Sequence, residues 1–166
     1  LGEVMKTLES MRAEVEKHNK LVKADTYQLV MDPKKPVAPA KMEAEVPYLD
    51  FSPIQNVVAD LKKSIATFSK ADVLALSDAK KAQLNQELMG MEQVLLQEKG
   101  LPRRDWFKHQ IYAPGFYTGY GVKTLPGVRE AIEQKEWKEA QEQIGVLATT
   151  LKAFDAQVQK LNSIVQ

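Results

Sequence analysis

The chain has 166 residues, a length that suits one domain of ordinary size. It contains no cysteine, which excludes disulfide frameworks, thiolate metal sites and cysteine nucleophiles while leaving the compartment open. With 23 Lys plus Arg against 22 Asp plus Glu, the formal net charge of +1 argues against a broad footprint for nucleic acid or an anionic membrane, and 44% hydrophobic with 27% charged residues is ordinary for a globular domain.

Nothing in the chain reaches the roughly 18 consecutive apolar residues of a membrane span. Leu1-Gly2-Glu3-Val4 enters an amphipathic pattern at once, with no signal segment before it, so the expectation is a piece excised from a longer chain. Val4, Leu8, Met11, Val15, His18 and Val22 fall on one face of a first helix expected over about 2–29, ending before Asp32-Pro33. A connector over 32–50 follows, extended because Pro33, Pro36, Pro39 and Pro47 fix φ and remove donors.

A second helix opens at Ser52-Pro53-Ile54-Gln55, where Ser can cap, Pro suits the first turn and Gln can close a capping box. Its apolar face is Ile54, Val57, Val58, Leu61, Ile65 and Phe68. A third helix starts near Ser77-Asp78, carries Leu84, Leu88, Met91 and Leu95, and stops at Gly100-Leu101-Pro102. The last helical region begins near Leu125-Pro126-Gly127 and breaks around Lys135. Beyond it Trp137, Ala140, Ile144, Leu147, Leu151, Phe154, Val158, Leu161 and Val165 alternate steps of three and four. Four such stripes can bury one another, which predicts an all-α fold, an up-and-down four-helix bundle forming a single domain over 1–166. The heptad in the last helix also suits a coiled coil with another chain. The Lys34-Lys35, Lys62-Lys63, Lys80-Lys81 and Arg103-Arg104 doublets are offset by nearby acids and read as solvated faces.

Residues 101–123 break the helical pattern and are expected to form a long irregular loop between the third and fourth helices. Six of the twelve aromatics lie there: Trp106, Phe107, Tyr112, Phe116, Tyr117 and Tyr120. Gly115, Gly119 and Gly121 permit close backbone approach. Two readings stand at this point: a loop packed over the end of the bundle, or a surface that meets a ligand or a neighbouring domain. The inventory for catalysis is thin. His18 and His109 are the only histidines, 91 positions apart, with no His-Glu-x-x-His, nucleophile elbow or phosphate loop. His18 sits on an apolar stripe, where a hydrogen-bonded structural histidine is the expected role.

Gly100-Leu101-Pro102, His109-Gln110-Ile111-Tyr112-Ala113-Pro114, Tyr120 and Leu125-Pro126-Gly127 resemble the C-terminal part of the glutamate carboxypeptidase and transferrin receptor family. The resemblance covers about residues 48–166, with Tyr48-Leu49-Asp50-Phe51-Ser52 and Leu101 to Gly127 as its most specific parts. It implies a transferrin receptor-like dimerisation domain: a helical bundle that is itself non-catalytic, mediates homodimerisation and packs on an upstream catalytic domain that this chain does not contain. Zinc is expected in that absent domain and no cofactor in this chain. The resemblance also implies a peptidase parent, an exopeptidase or an inactive homologue, located outside the cytoplasm, whether periplasmic, secreted or at the cell surface. In the family's carboxypeptidase a Lys-Tyr pair reaches over the catalytic domain to the substrate's terminal glutamate. Here those positions are Gly119 and Tyr120, so Thr118, Gly119 and Tyr120 are candidate substrate-cleft contacts, and His109, Tyr112, Phe116 and Tyr117 candidate domain contacts. Gly119 cannot supply the cation, a charge-assisted contact worth roughly 1.5–3 kcal/mol, and Lys123 is a partial substitute or a solvated lysine. The rival from another class is a self-contained helical adaptor or small-ligand binding bundle.

Overall fold

The computed structural model describes residues 1–30, 32 and 39–166. Met31 and residues 33–38, which include the Lys34-Lys35 doublet and about a third of the expected connector, lie outside the described residues. The chain divides into two compact units, Leu1–Tyr48 and Leu49–Gln166.

The first unit is built on α1, Gly2–Lys23, followed by a 3-10 turn over Thr26–Val30. The single helix expected to about residue 29 therefore splits, because Asp25 takes a left-handed φ of 49° after Ala24 and Asp25 close back on Lys20 and Val22. An extended segment is strapped to α1 by its side chains. The Arg12 guanidinium donates to the Pro47 carbonyl at 2.8 Å, and His18 Nε2 donates to that of Lys41 at 2.9 Å. In the tautomer this bond requires, Nδ1 accepts from the Tyr27 hydroxyl at 2.9 Å. Buried Asn19 pairs twice with the Glu43 backbone, at 2.9 and 2.8 Å, as a strand would. His18 thus has the structural role its place on the stripe suggested.

The second unit is organised around α5, Trp137–Val165. Its stripe buries Ala140, Ile144, Leu147, Val158, Leu161 and Ile164. Against it lie α2, Ser52–Phe68, α3, Asp78–Gly90, and α4, Pro126–Glu133. The α2 start differs in detail from the sequence reading: Phe51 holds the cap position, and the Ser52 N–H donates to Asp50 Oδ1 at 2.9 Å. At α3, Ser77 caps as expected, its Oγ accepting from the Lys80 N–H. The α-helix ends at Gly90, earlier than expected, and continues as a 3-10 stretch over Met91–Leu95. Gly100 has a φ of 64°, and a Cβ there would lie 2.2 Å from the Asp105 carbonyl oxygen, so the turn demands glycine. The expected break at Lys135 is present, with a φ of 59° between α4 and α5.

The main correction lies between α3 and α4. Residues 101–123 are not wholly irregular: β1, Tyr112–Pro114, pairs antiparallel with β2, Val122–Thr124, in the register Tyr112 to Thr124, Ala113 to Lys123 and Pro114 to Val122. The fold is mostly helical with a small two-stranded sheet rather than all-α.

Candidate functional site

The hairpin stands on a buried ion pair. Arg104 is 5% exposed and Glu130, on the inner face of α4, is 6% exposed. One guanidinium nitrogen of Arg104 donates to Glu130 Oε2 and another to the Pro114 carbonyl, while Glu130 Oε1 accepts from the Phe116 N–H at 2.7 Å. The guanidinium also lies over the rings of Phe107 and Phe116, at 5.5 and 5.3 Å from their centroids. Arg103 donates twice to the Glu139 carboxylate, at 2.9 and 2.8 Å, which holds its own pKa above the usual arginine value. The Arg103-Arg104 doublet is therefore no solvated face, since one cation is buried and the other is clamped.

Beyond this anchor the chain makes a glycine-rich tip. The Gly115 N–H donates to the Gly121 carbonyl at 2.8 Å and the Gly119 N–H to the Gly115 carbonyl at 3.1 Å, with Gly119 left-handed at a φ of 59°. Thr118 Oγ1 donates weakly to the Gly121 carbonyl at 3.4 Å. Phe116 and Tyr117 meet edge to face at 4.9 Å, and Tyr117 is largely exposed. Tyr120 projects fully into solvent. Lys123 does not project with it: its ammonium donates to both carboxylate oxygens of Glu133, at 2.8 and 2.9 Å.

One flank of the hairpin forms an open groove of about 520 Å³, lined by Leu96, Trp106, Phe107, His109, Tyr112 and Val122 among others. His109 and Tyr112 stack at 4.0 Å between centroids. His109 Nδ1 accepts from the N–H groups of Ile111 and Tyr112, at 3.2 and 3.3 Å. Burial of the ring lowers the His109 pKa, and the Glu92 carboxylate, 3.6 Å from Nε2, opposes this only in part. Glu92 Oε1 also accepts from the Tyr112 hydroxyl at 2.5 Å, a bond that raises the Tyr112 pKa. The structure thus gathers His109 with Tyr112, and Phe116 with Tyr117, and leaves Thr118, Gly119 and Tyr120 on the tip. Sequence reasoning missed Glu92, Arg104 and Glu130. A usable signal existed for Glu130, an acid within the apolar Val128, Ala131, Ile132 face of α4.

Among the described residues no cluster of three or more His, Asp or Glu side chains could hold a metal ion. No described helix is long and apolar enough to cross a membrane.

The chain matches the transferrin receptor-like dimerisation domain family over residues 49–159, a span that includes the helical frame and the hairpin. Among similar proteins, a probable glutamate carboxypeptidase of Arabidopsis thaliana is 33% identical over 103 residues, covering 58% of this chain and 15% of that protein. A second from the same plant is 31% identical over 110 residues, covering 65% and 15%, and one from the fungus Arthroderma benhamiae is 30% identical over 94 residues, covering 54% and 13%. The matched part of the chain thus corresponds to about one seventh of the length of these relatives. With more than half of its residues inside the matched span, the chain belongs to the transferrin receptor-like dimerisation domain family.

Proposed function

We propose that this chain is the non-catalytic dimerisation domain of a glutamate carboxypeptidase-like protein, and that its aromatic hairpin packs on that protein's catalytic domain beside the substrate cleft. The observation that carries the reading is the family match, which spans both the α5-centred frame and a hairpin whose aromatic side chains are left uncovered. Trp106 beside the hairpin and Tyr112, Tyr117 and Val122 within it expose apolar surface, the mark of a contact yet to be made. On this proposal His109, Tyr112, Phe116 and Tyr117 face the neighbouring domain, and Thr118, Gly119 and Tyr120 reach the cleft, where the Tyr120 hydroxyl donates to a substrate carbonyl or carboxylate. The up-and-down four-helix bundle and the single functional domain over 1–166 belong to the same proposal. So do zinc bound in the catalytic domain, an exopeptidase or inactive parent, and a location outside the cytoplasm.

Gly119 leaves no cation beside Tyr120, and the Lys123 ammonium is engaged by Glu133. The proposal therefore does not include strict preference for a terminal glutamate. The test is Tyr120→Ala in the whole protein. Peptide hydrolysis should weaken, chiefly through a higher KM, with the thermal melting of the helical domain unchanged. Unaltered kinetics would remove Tyr120 from the cleft.

A further inference from the structure

The foot of the hairpin is joined to the chain that follows α3 by backbone bonds on both sides of one residue. The Gln97 N–H donates to the Lys108 carbonyl at 2.9 Å and the Gln110 N–H to that of Leu95 at 3.0 Å, so His109 crosses Leu96 in a single antiparallel bridge. Its ring is held from two directions. On one side Nδ1 accepts from the N–H groups of Ile111 and Tyr112, at the entry to β1, which places the ring proton on Nε2. On the other side that Nε2 N–H is shielded from solvent, has no hydrogen-bond partner among the described residues, and stops 3.6 Å from Glu92 Oε1. The same oxygen accepts from the Tyr112 hydroxyl, and the Tyr112 ring stacks on the imidazole.

We infer that the His109 imidazole, set between the Glu92 carboxylate and the backbone entering β1, is an acid-operated latch on the foot of the hairpin. The device stands apart from the dimerisation reading and needs no part of it. A neutral ring fits this frame because it offers the backbone an acceptor. A second ring proton reverses that side, since an Nδ1 N–H then meets two N–H donors and both bonds are lost. The other side gains, because an imidazolium close to a carboxylate makes a charge-assisted bond across the present gap. Both changes turn the ring the same way, off the backbone and toward Glu92. The Ile111 and Tyr112 amides are then uncapped, and the Tyr112 ring loses its stacking partner. Trp106, Phe107 and Val122 line the same groove, so the aromatic flank rearranges with the latch. Among the described residues Glu92 is the charge that acts on the ring. Lys108 beside it is held by Glu98 at 3.2 Å, Lys123 on β2 by Glu133, and Arg129 bonds Thr124 opposite Tyr112. Burial outweighs the carboxylate and sets the working range below the ordinary histidine value of about 6.5.

The experiment is a pH titration of the chain by NMR, following the His109 ring and the backbone amides, for the unaltered sequence, Glu92→Gln and His109→Gln. In the unaltered chain the Ile111 and Tyr112 amide signals should shift along the same curve as the His109 ring, centred below about 6.5. Signals of Ile144, Leu147 and Val158 in α5 should stay in place. In Glu92→Gln, which keeps an acceptor for the Tyr112 hydroxyl but removes the charge, the curve should move to lower pH. In His109→Gln the two amides should no longer titrate. A ring that titrates without moving the Ile111 and Tyr112 amides overturns the latch, and so does a Glu92→Gln curve with the unaltered midpoint. Loss of the α5 signals along the same curve also overturns it, because the event would then be unfolding of the domain rather than release of one segment.

Discussion

Arg104 and Glu130, 26 residues apart in sequence, form an ion pair with both side chains almost wholly buried, and between them they hold two backbone groups of the hairpin. The Pro114 carbonyl rests on the arginine and the Phe116 N–H on the glutamate. The pair therefore sets where the glycine-rich tip begins.

Removing one partner of such a pair strands a buried charge. Arg104→Ala or Glu130→Ala should each cost roughly 3–5 kcal/mol in urea unfolding of the chain. The neighbouring pair is the contrast. Arg103 and Glu139 are partly exposed, so Arg103→Ala should cost no more than about 1 kcal/mol. Replacing both buried partners by apolar residues of similar volume should not restore stability, because Pro114 and Phe116 would still lose their partners.

His109 makes stability depend on pH. Its pKa is lowered chiefly by burial, and its Nδ1 faces two N–H donors, so protonation there would set donor against donor. The unfolded chain then binds the proton more readily than the folded one. Stability contributed by the neutral ring is present above the ordinary histidine pKa of about 6.5 and falls as pH drops below it toward the lowered folded value. Urea midpoints measured between neutral pH and pH about 5.5 should decline in the native chain and decline less in His109→Gln. Parallel slopes in the two proteins would remove His109 as the cause.

Gly100 and Gly119 both have positive φ, but their surroundings differ. A Cβ at Gly100 would collide with the Asp105 backbone, whereas Gly119 opens onto free space. Gly119→Ala should cost about 1–2 kcal/mol from the left-handed backbone alone. Gly100→Ala should cost more than Gly119→Ala, and chemical denaturation of the two variants ranks them.

The open space at Gly119 also allows a gain of function. If the tip lines the cleft, Gly119→Lys in the whole protein restores a cation beside Tyr120 and should raise kcat/KM for peptides ending in glutamate by about tenfold or more over those ending in a neutral residue. The same variant should lose about 1–2 kcal/mol of stability for its backbone, a separate readout. No change in preference would place the tip away from the substrate.

The elements with long periodic stripes were legible in the sequence. The α5 pattern and the break at Lys135 could be read residue by residue, because a sustained alternation of three and four steps has one cheap explanation. The hairpin was not, since strands of three residues carry no period of two, and their pairing depends on an arginine and a glutamate far apart in sequence. For the same reason Arg104 read as one half of a solvated doublet. The split at Asp25 escaped because nothing but a positive φ marks it. At the candidate site, the His109 to Pro114 motif marked the segment where His109 and Tyr112 stack and β1 forms, but the Glu92 carboxylate shared by His109 and Tyr112 comes from the end of another element and left no local signal.

On the proposed function, this domain brings two copies of its protein together. Light scattering or sedimentation equilibrium of the whole protein at micromolar concentration tests it most directly. Twice the mass of one chain is expected, and a single-chain mass across that range would overturn the dimerisation reading.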